Sequence, residues 1–520
     1  MKAVYIQRTI NCLWIILTFL SSTPLVSQVP ENLGSSINTT YDESAPVISF
    51  KGNVLYFWSL NRPDGAGFHD IYYSRLDTNG NWVPARNIGQ PINDPGANIV
   101  LSITPDGKQL LIYQNNPIEE TNKKSKPKPR ASDLAIVKKE GNFWSEPQFI
   151  KIEKYKNPSG LPITAHLCAD KKTLLLSLYN EEENKQEDLY VCFWQAEKKQ
   201  FSAPKSLGNI INTPYEETTP FLAADGVTLY FSSNRPGGLG NHDIYRTQRL
   251  DSTWQNWSIP QNLGAPINSE ADEIHFKFPA DPTYAYFVST AGNGHLGGKD
   301  IYKVVLPEHL KPLPVVMVTG KVLDAATQAP QMARITYFDI NENREVGTAT
   351  SDSLSGEYTI LLPAGKEFAV IAQGDNYIAI SENFNTLGLK NFTSLQRNLL
   401  LIPLRENATI PLNSLFFEIG KAELQPKSFV ELDRIASLLQ KNETMTLEIN
   451  GYTDNTGDEN FNKKLSLDRA EAVANYLASK NINRERLIVK GWGSANPIAS
   501  NTTQEGREKN RRVEIKILKL

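Results

Sequence analysis

Two stretches of this chain nearly copy each other. LYFWSLNRPDGAGFHDIYY begins at Leu55 and LYFSSNRPGGLGNHDIYR at Leu229. Weaker copies begin at Leu110 (LLIYQN), Leu174 (LLLSLYN) and Ala285 (AYFVST), so successive starts lie 55, 64, 55 and 56 residues apart. Each copy then reaches an aspartate that opens a second strand: Asp70, Asp133, Asp188, Asp243 and Asp300. Four copies continue to an aromatic followed by proline (NWVPA, NFWSEP, QFSAP, NWSIP), and three of these to a link like LG..IN at Gly89, Gly208 and Gly264. A fixed period with several short β runs per unit limits the fold severely. Each unit is a small antiparallel sheet that cannot bury both faces alone, and stacking around an axis buries them. The pattern predicts an all-β propeller of about five blades over residues 28–308. The fifth copy lacks the aromatic–proline–link ending, and the start of the chain supplies it: PENLGSSIN (30–38) matches PQNLGAPIN (260–268). The N-terminal segment is therefore expected to complete the last blade.

Several features of the repeats invite other readings. The row of aspartates suggests metal ligation, but an Asx side chain routinely anchors its own turn through backbone N–H groups, which is the expectation here. GNGHLG (292–297) fits G-x-G-x-x-G, yet a strand, DIYKVV, follows it where a dinucleotide site needs a helix. The second copy carries TNKKSKPKPR (121–130) in place of the glycine hairpin, read as a solvated insertion loop. The copies resemble the WD40-like, TolB-type (PD40) propeller repeats of envelope proteins over about residues 30–305, most specifically in the DG..LYFSSNRPGG.G..DIY core of the fourth copy.

Residues 1–27 place Lys2 and Arg8 before the apolar run CLWIILTFL and a small-residue exit, the layout of a secretory signal peptide. Cys12 is not preceded by a lipobox. Export makes a disulfide between Cys168 and Cys192 chemically possible, but with so few cysteines two unpaired core thiols are the expectation. At 520 residues, 40% hydrophobic and 21% charged, the chain reads as ordinary globular protein of about three domains. Its net charge of −3 argues against nucleic acid as a partner.

Residues 314–403 alternate apolar and polar positions between Gly, Pro and Asn turns, which predicts a small antiparallel β-sandwich. GKVLDAAT, GEYTILLPAG and Tyr377 resemble the carboxypeptidase regulatory-like module, which implies a spacer or an interaction surface. Residues 404–412 read as a linker.

Residues 413–520 change to a compact α/β pattern. SLFFEI, TLEI, RLIVKGW and RRVEIKILKL read as strands. Leu432, Ile435, Ala436 and Leu439 form one helical face; Ala470, Val473, Ala474 and Leu477 form another, with Ser466 as the expected N-cap. This places Asp454 at a strand end and Arg469 in the first turn of the next helix, at the sheet edge where ligands usually sit. A helix N-terminus favours acids in its own first turn, so an arginine there calls for a reason. From the residues alone two readings stand: the charges neutralise each other, or they grip the ammonium and carboxylate ends of a free amino-acid group.

FFEIGKAEL, GYTDNTG, Asn462, LSLDRAEAV..YL and GWG...P...N.T..GR..NRRVEI resemble the OmpA-like, peptidoglycan-associating domain of the OmpA, Pal and MotB families. The resemblance implies that Asp454 and Arg469 bind the free amino-acid end of a stem-peptide diacid, usually meso-diaminopimelate. Thr453, Asn462, Asn510 and Arg511 match positions that help form that pocket. Tyr452 stands where many members have His, so no imidazole contact is expected.

The whole reads as a multidomain, exported, periplasmic protein associated with the outer membrane and cell wall. Peptidoglycan is its expected partner, together with an unidentified envelope protein at the propeller. An integral outer-membrane barrel fits poorly with a unit of about 55 residues. The domain order also resembles components of the type IX secretion apparatus. No G-x-S-x-G, H-E-x-x-H or P-loop occurs, and the six histidines show no ligand spacing; no enzyme, cofactor or metal is expected.

Overall fold

The computed structural model describes residues 29–115, 133–155, 157, 162–180, 186–342, 344–378, 380–412, 415–418 and 420–520. The signal-like segment and the basic run 121–130 lie outside the described residues.

Each repeat folds as one antiparallel sheet. The fourth is representative: Glu217–Leu222, Thr228–Ser233, Asp243–Gln248 and Gln261–Asn262 pair in that order. The first two sheets are joined by one parallel bridge, His69 to Ala97. The fifth sheet takes its outer strand from the start of the chain, where Glu31–Asn32 pairs with Tyr302 and Lys303. The N-terminal segment thus completes the last sheet. The first strands of the five sheets also touch in a closed cycle: 43–48, 97–103, 165–167, 217–222, 273–277 and back to 43–48. Apolar clusters fill the spaces between neighbouring sheets, such as Ile48, Phe57 and Tyr72 against Tyr286, Val288 and Ile301.

The link motif has a specific task. Its asparagine side chain pairs with both backbone groups of a buried residue in the preceding third strand, standing in for a further strand residue. Asn93 does this to Ile71, Asn212 to Leu189 and Asn268 to Ile244. Asn38 does it to Ile301 across the chain ends, at 2.9 Å for both bonds.

Three of the repeated aspartates anchor their loops through backbone N–H groups, while Asp133 and Asp188 accept from the side-chain amides of Asn157 and Asn180. Asp70 accepts from Gly67 N, Asp300 from Leu296 N and Gly297 N, and Asp243 from Leu239 N. GNGHLG lies in the loop between the strands Tyr284–Ser289 and Asp300–Val305. Cys168 and Cys192 are free and buried, and burial pushes the Cys192 thiol up to about 12.

The middle part holds two sheets on one core, with Val316, Val318, Ile360, Leu362 and Leu399 from one meeting Ile335, Phe368 and Val370 from the other. The sheets are not all antiparallel as expected. Thr393–Gln396 and Leu399–Pro403 both run parallel to Val315–Asp324, because residues 386–392 cross back from the other sheet. Lys108–Asp352 and Lys172–Glu345 ion pairs tie this part to the five-sheet ring.

The C-terminal sheet has the order Thr409–Pro411, Val513–Lys519, Thr446–Gly451, Leu487–Gly491, with the last pair parallel. Helices Phe429–Lys441 and Glu459–Ser479 cover it with the apolar faces expected from sequence. Two assignments differ. The segment 404–412 is not a bare linker: Ala408, Ile410 and Leu412 enter the core and Thr409–Pro411 is an edge strand. An edge position tolerates Pro411, which has no N–H to offer. SLFFEI is not a strand; within its described residues Phe417 makes only an isolated bridge to Leu424. Among the described residues no helix is long and apolar enough to cross a membrane.

Candidate functional site

The long helix begins earlier than its sequence suggests. Its N-cap is Asp458, whose side chain accepts from Phe461 N at 2.9 Å, not Ser466. No breaker separates Glu459 from Ser466, and an acidic cap followed by Glu459 suits the positive helix end. Arg469 therefore lies about three turns in, and the first-turn argument does not apply to it. Asn462, Ser466 and Arg469 continue the buried stripe of Ala470, Val473 and Leu477 as a polar extension. Ser466 accepts from Gly493 N at 2.9 Å, and a Cβ on Gly451 would collide with the Ser466 carbonyl. Helix and strand end are thus pressed together where the polar stripe starts.

Asp454 and Arg469 do not form an ion pair with each other. Asp454 instead holds Arg511 at 2.8 Å and accepts from the Thr456 backbone at 2.9 Å and from its hydroxyl. Burial acts to raise the Asp454 pKa, but the bonds from Thr456 and Arg511 outweigh it and hold the carboxyl below its usual range.

Arg469 is only 5% exposed. Its Nε donates to the Lys421 carbonyl at 3.0 Å, its Nη2 to the Glu418 carbonyl at 3.4 Å, and its guanidinium lies 5.0 Å from the Phe417 ring centre. Among the described residues no carboxylate lies within ion-pairing distance of it. Burial lowers its pKa, Arg511 adds to this, and Asp454 opposes it.

Thr453 Oγ1 is buried without a partner. Asn462 donates to the Thr456 carbonyl at 2.9 Å and the Asp454 carbonyl at 3.5 Å, shaping the loop that carries the acid. Asn510 is fully buried, and its amide binds Ile498 N, Ala499 N, the Ala499 carbonyl and Asn501, so it orders the neighbouring loop. The structure thus brings Thr453, Asp454, Asn462, Arg469 and Arg511 together, with Asn510 supporting from behind. Sequence reasoning missed Thr456 and the carbonyls of Glu418 and Lys421, which lie within the motif stretches GYTDNTG and FFEIGKAEL.

Tyr452 is buried, with the Arg512 guanidinium 3.9 Å from its ring centre.

The arrangement offers a buried cationic fork and an ionised acid at one sheet edge, an array for binding a zwitterionic group. The OmpA family matches residues 416–511. The peptidoglycan-binding protein ArfA of Mycobacterium tuberculosis is 49% identical over 94 residues, 18% of this chain and 29% of that protein. Outer membrane protein A of Bordetella avium is 45% identical over 103 residues, 20% of this chain and 53% of that protein. The matched region spans about half or less of either relative's length. The solved cell wall anchor of the T6SS from Pseudomonas aeruginosa aligns at 33% identity over 21% of this chain and 78% of that chain, with a TM-score of 0.19. Residues 416–511 of this chain form an OmpA family domain.

Proposed function

We propose that the protein anchors non-covalently to peptidoglycan through residues 413–520. Arg469 grips the carboxylate and Asp454 the ammonium at the free amino-acid end of a diaminopimelate-type stem peptide. The observation that carries this reading is a buried guanidinium whose hydrogen bonds, among the described residues, go to carbonyls and to no carboxylate. A buried charge without a counter-charge is costly, and a ligand carboxylate supplies what the fold leaves out. In the free protein Arg511 occupies Asp454, so the ligand ammonium takes its place and Arg511 moves toward the ligand carboxylate. The similarity to ArfA, described as peptidoglycan-binding, supports the same ligand.

In this reading the five sheets are the blades of a PD40-type propeller and the middle part is a carboxypeptidase regulatory-like spacer. The closed cycle of inner strands supports the propeller. The propeller serves as a protein-interaction module in the periplasm, and the chain is non-catalytic. Sedimentation of the chain with purified peptidoglycan tests the anchoring. Co-sedimentation that is abolished by free diaminopimelate-containing stem peptide supports it; a folded chain that stays wholly in the supernatant overturns it.

A further inference from the structure

The five inner strands share one register. Val47, Ser102, His166, Phe221 and Lys277 each stand five positions before the turn position occupied by Gly52, Gly107, Lys171, Gly226 and Pro282. All five line a single cavity of about 20 Å³ at the ring axis. The five-fold layer is thus filled by apolar side chains from two sheets and by polar ones from three.

The polar three are unusual in their surroundings. Lys277, His166 and Ser102 are 7%, 5% and 3% exposed. The Lys277 amine reaches across the axis to the Leu101 carbonyl, two sheets away. Among the described residues it has no carboxylate partner, and burial alone pushes its pKa down to about 7. His166 Nε2 donates to the Leu222 carbonyl at 3.1 Å, leaving Nδ1 buried and unpaired. Burial and the adjacent Lys277 lower the His166 pKa to about 3, so His166 adds no charge. The Ser102 hydroxyl oxygen accepts from Leu167 N at 3.0 Å, which leaves its proton free to donate. His275, two residues before Lys277, is likewise kept neutral by burial and by Lys277.

We propose that this axial cavity binds one monatomic anion, chloride or bromide, through the Lys277 ammonium and the Ser102 hydroxyl. The cavity exceeds the ~10–15 Å³ needed for a water-sized particle, which is room for one monatomic anion. A water in the same place accepts from the amine but carries no charge, so it leaves the ammonium uncompensated. An anion supplies the missing charge, keeps the amine protonated at neutral pH and joins the second and fifth sheets across the axis. Its binding is therefore linked to the Lys277 proton and strengthens as pH falls.

The test uses the full chain at pH 6 and fixed ionic strength, with sodium gluconate replaced stepwise by sodium bromide or chloride. Wild-type protein is expected to gain several degrees in melting temperature, with saturation as for a single site. Lys277→Met, which fills the same space without charge, is expected to lose that dependence. Anomalous diffraction from crystals grown in bromide is expected to place a peak on the axis beside Lys277. Equal halide dependence in both proteins, or an axial site holding only water in bromide, overturns the proposal. Should the Lys277→Met protein fail to fold, the bromide peak alone decides.

Discussion

Asn38→Ala tests whether the ring closes through its N-terminal segment. Asn38 and Ile301 are both fully buried. Asn38 donates to the Ile301 carbonyl, accepts from Ile301 N and donates to Asn32 Oδ1 at 2.8 Å. The substitution leaves Ile301 N–H without a partner, while its carbonyl keeps Leu33 N at 3.1 Å. An orphaned buried donor costs about 1–3 kcal/mol and the lost bond to Asn32 about 1 more. At about 2–4 °C per kcal/mol for domains of 150–250 residues, the total of about 2–4 kcal/mol lowers the melting temperature by roughly 5–15 °C. Asn268→Ala is the internal standard, since Asn268 makes the same bonds to Ile244 and Asn262 within one stretch of chain. Differential scanning calorimetry of both variants is expected to give similar shifts, although Asn38 lies 263 residues from its partner and Asn268 only 24. A large shift for Asn268→Ala with none for Asn38→Ala would refute closure by residues 30–38.

Three further outcomes follow from single sites. His242 hydrogen-bonds Asp272 at 2.9 Å and has Glu216 at 3.5 Å on its other side; burial lowers its pKa, but the two acids outweigh this and raise it. Its stabilising charge is fully present below the unfolded value near 6.5 and is lost as pH rises through the folded value. Melting curves of wild type and His242→Gln are thus expected to differ most below pH 6.5 and to converge in alkali. Gly451→Ala drives a Cβ into the Ser466 carbonyl and is expected to destabilise the C-terminal domain by about 1–3 kcal/mol, read by urea denaturation. Cys168 and Cys192, both buried and with raised pKa values, are expected to resist a thiol reagent until the protein unfolds.

The ring was legible because its signal is a period. Five copies, a shared aspartate and the displaced PENLGSSIN ending specify five sheets and a closing strand without any single-residue judgement. The C-terminal strands TLEI, RLIVKG and VEIKILK were legible for the same kind of reason, an apolar run bounded by turns. What sequence hid depended on tertiary geometry. Ser466 looks like a cap because it is a serine before an apolar stripe, yet Asp458 caps first and Ser466 points at Gly493. The Asp454–Arg511 pair joins residues 57 apart, and the carbonyls that hold Arg469 come from a segment whose apolar start imitates a strand. Thr409–Pro411 is too short, and too near a proline, to announce itself, although Ile410 is buried in the core.

The central claim is that Asp454 and Arg469 grip one ligand from opposite ends. Calorimetric titration of the folded chain with a diaminopimelate-containing stem peptide, for wild type, Asp454→Asn, Arg469→Ala and the double variant, tests it most directly. Charge-assisted bonds contribute about 1.5–3 kcal/mol each, so either change alone is expected to weaken binding by roughly 10- to 150-fold. The double variant is expected to be little worse than the weaker single one, as for groups sharing a partner. Single variants that remain folded and bind as tightly as wild type would contradict the account.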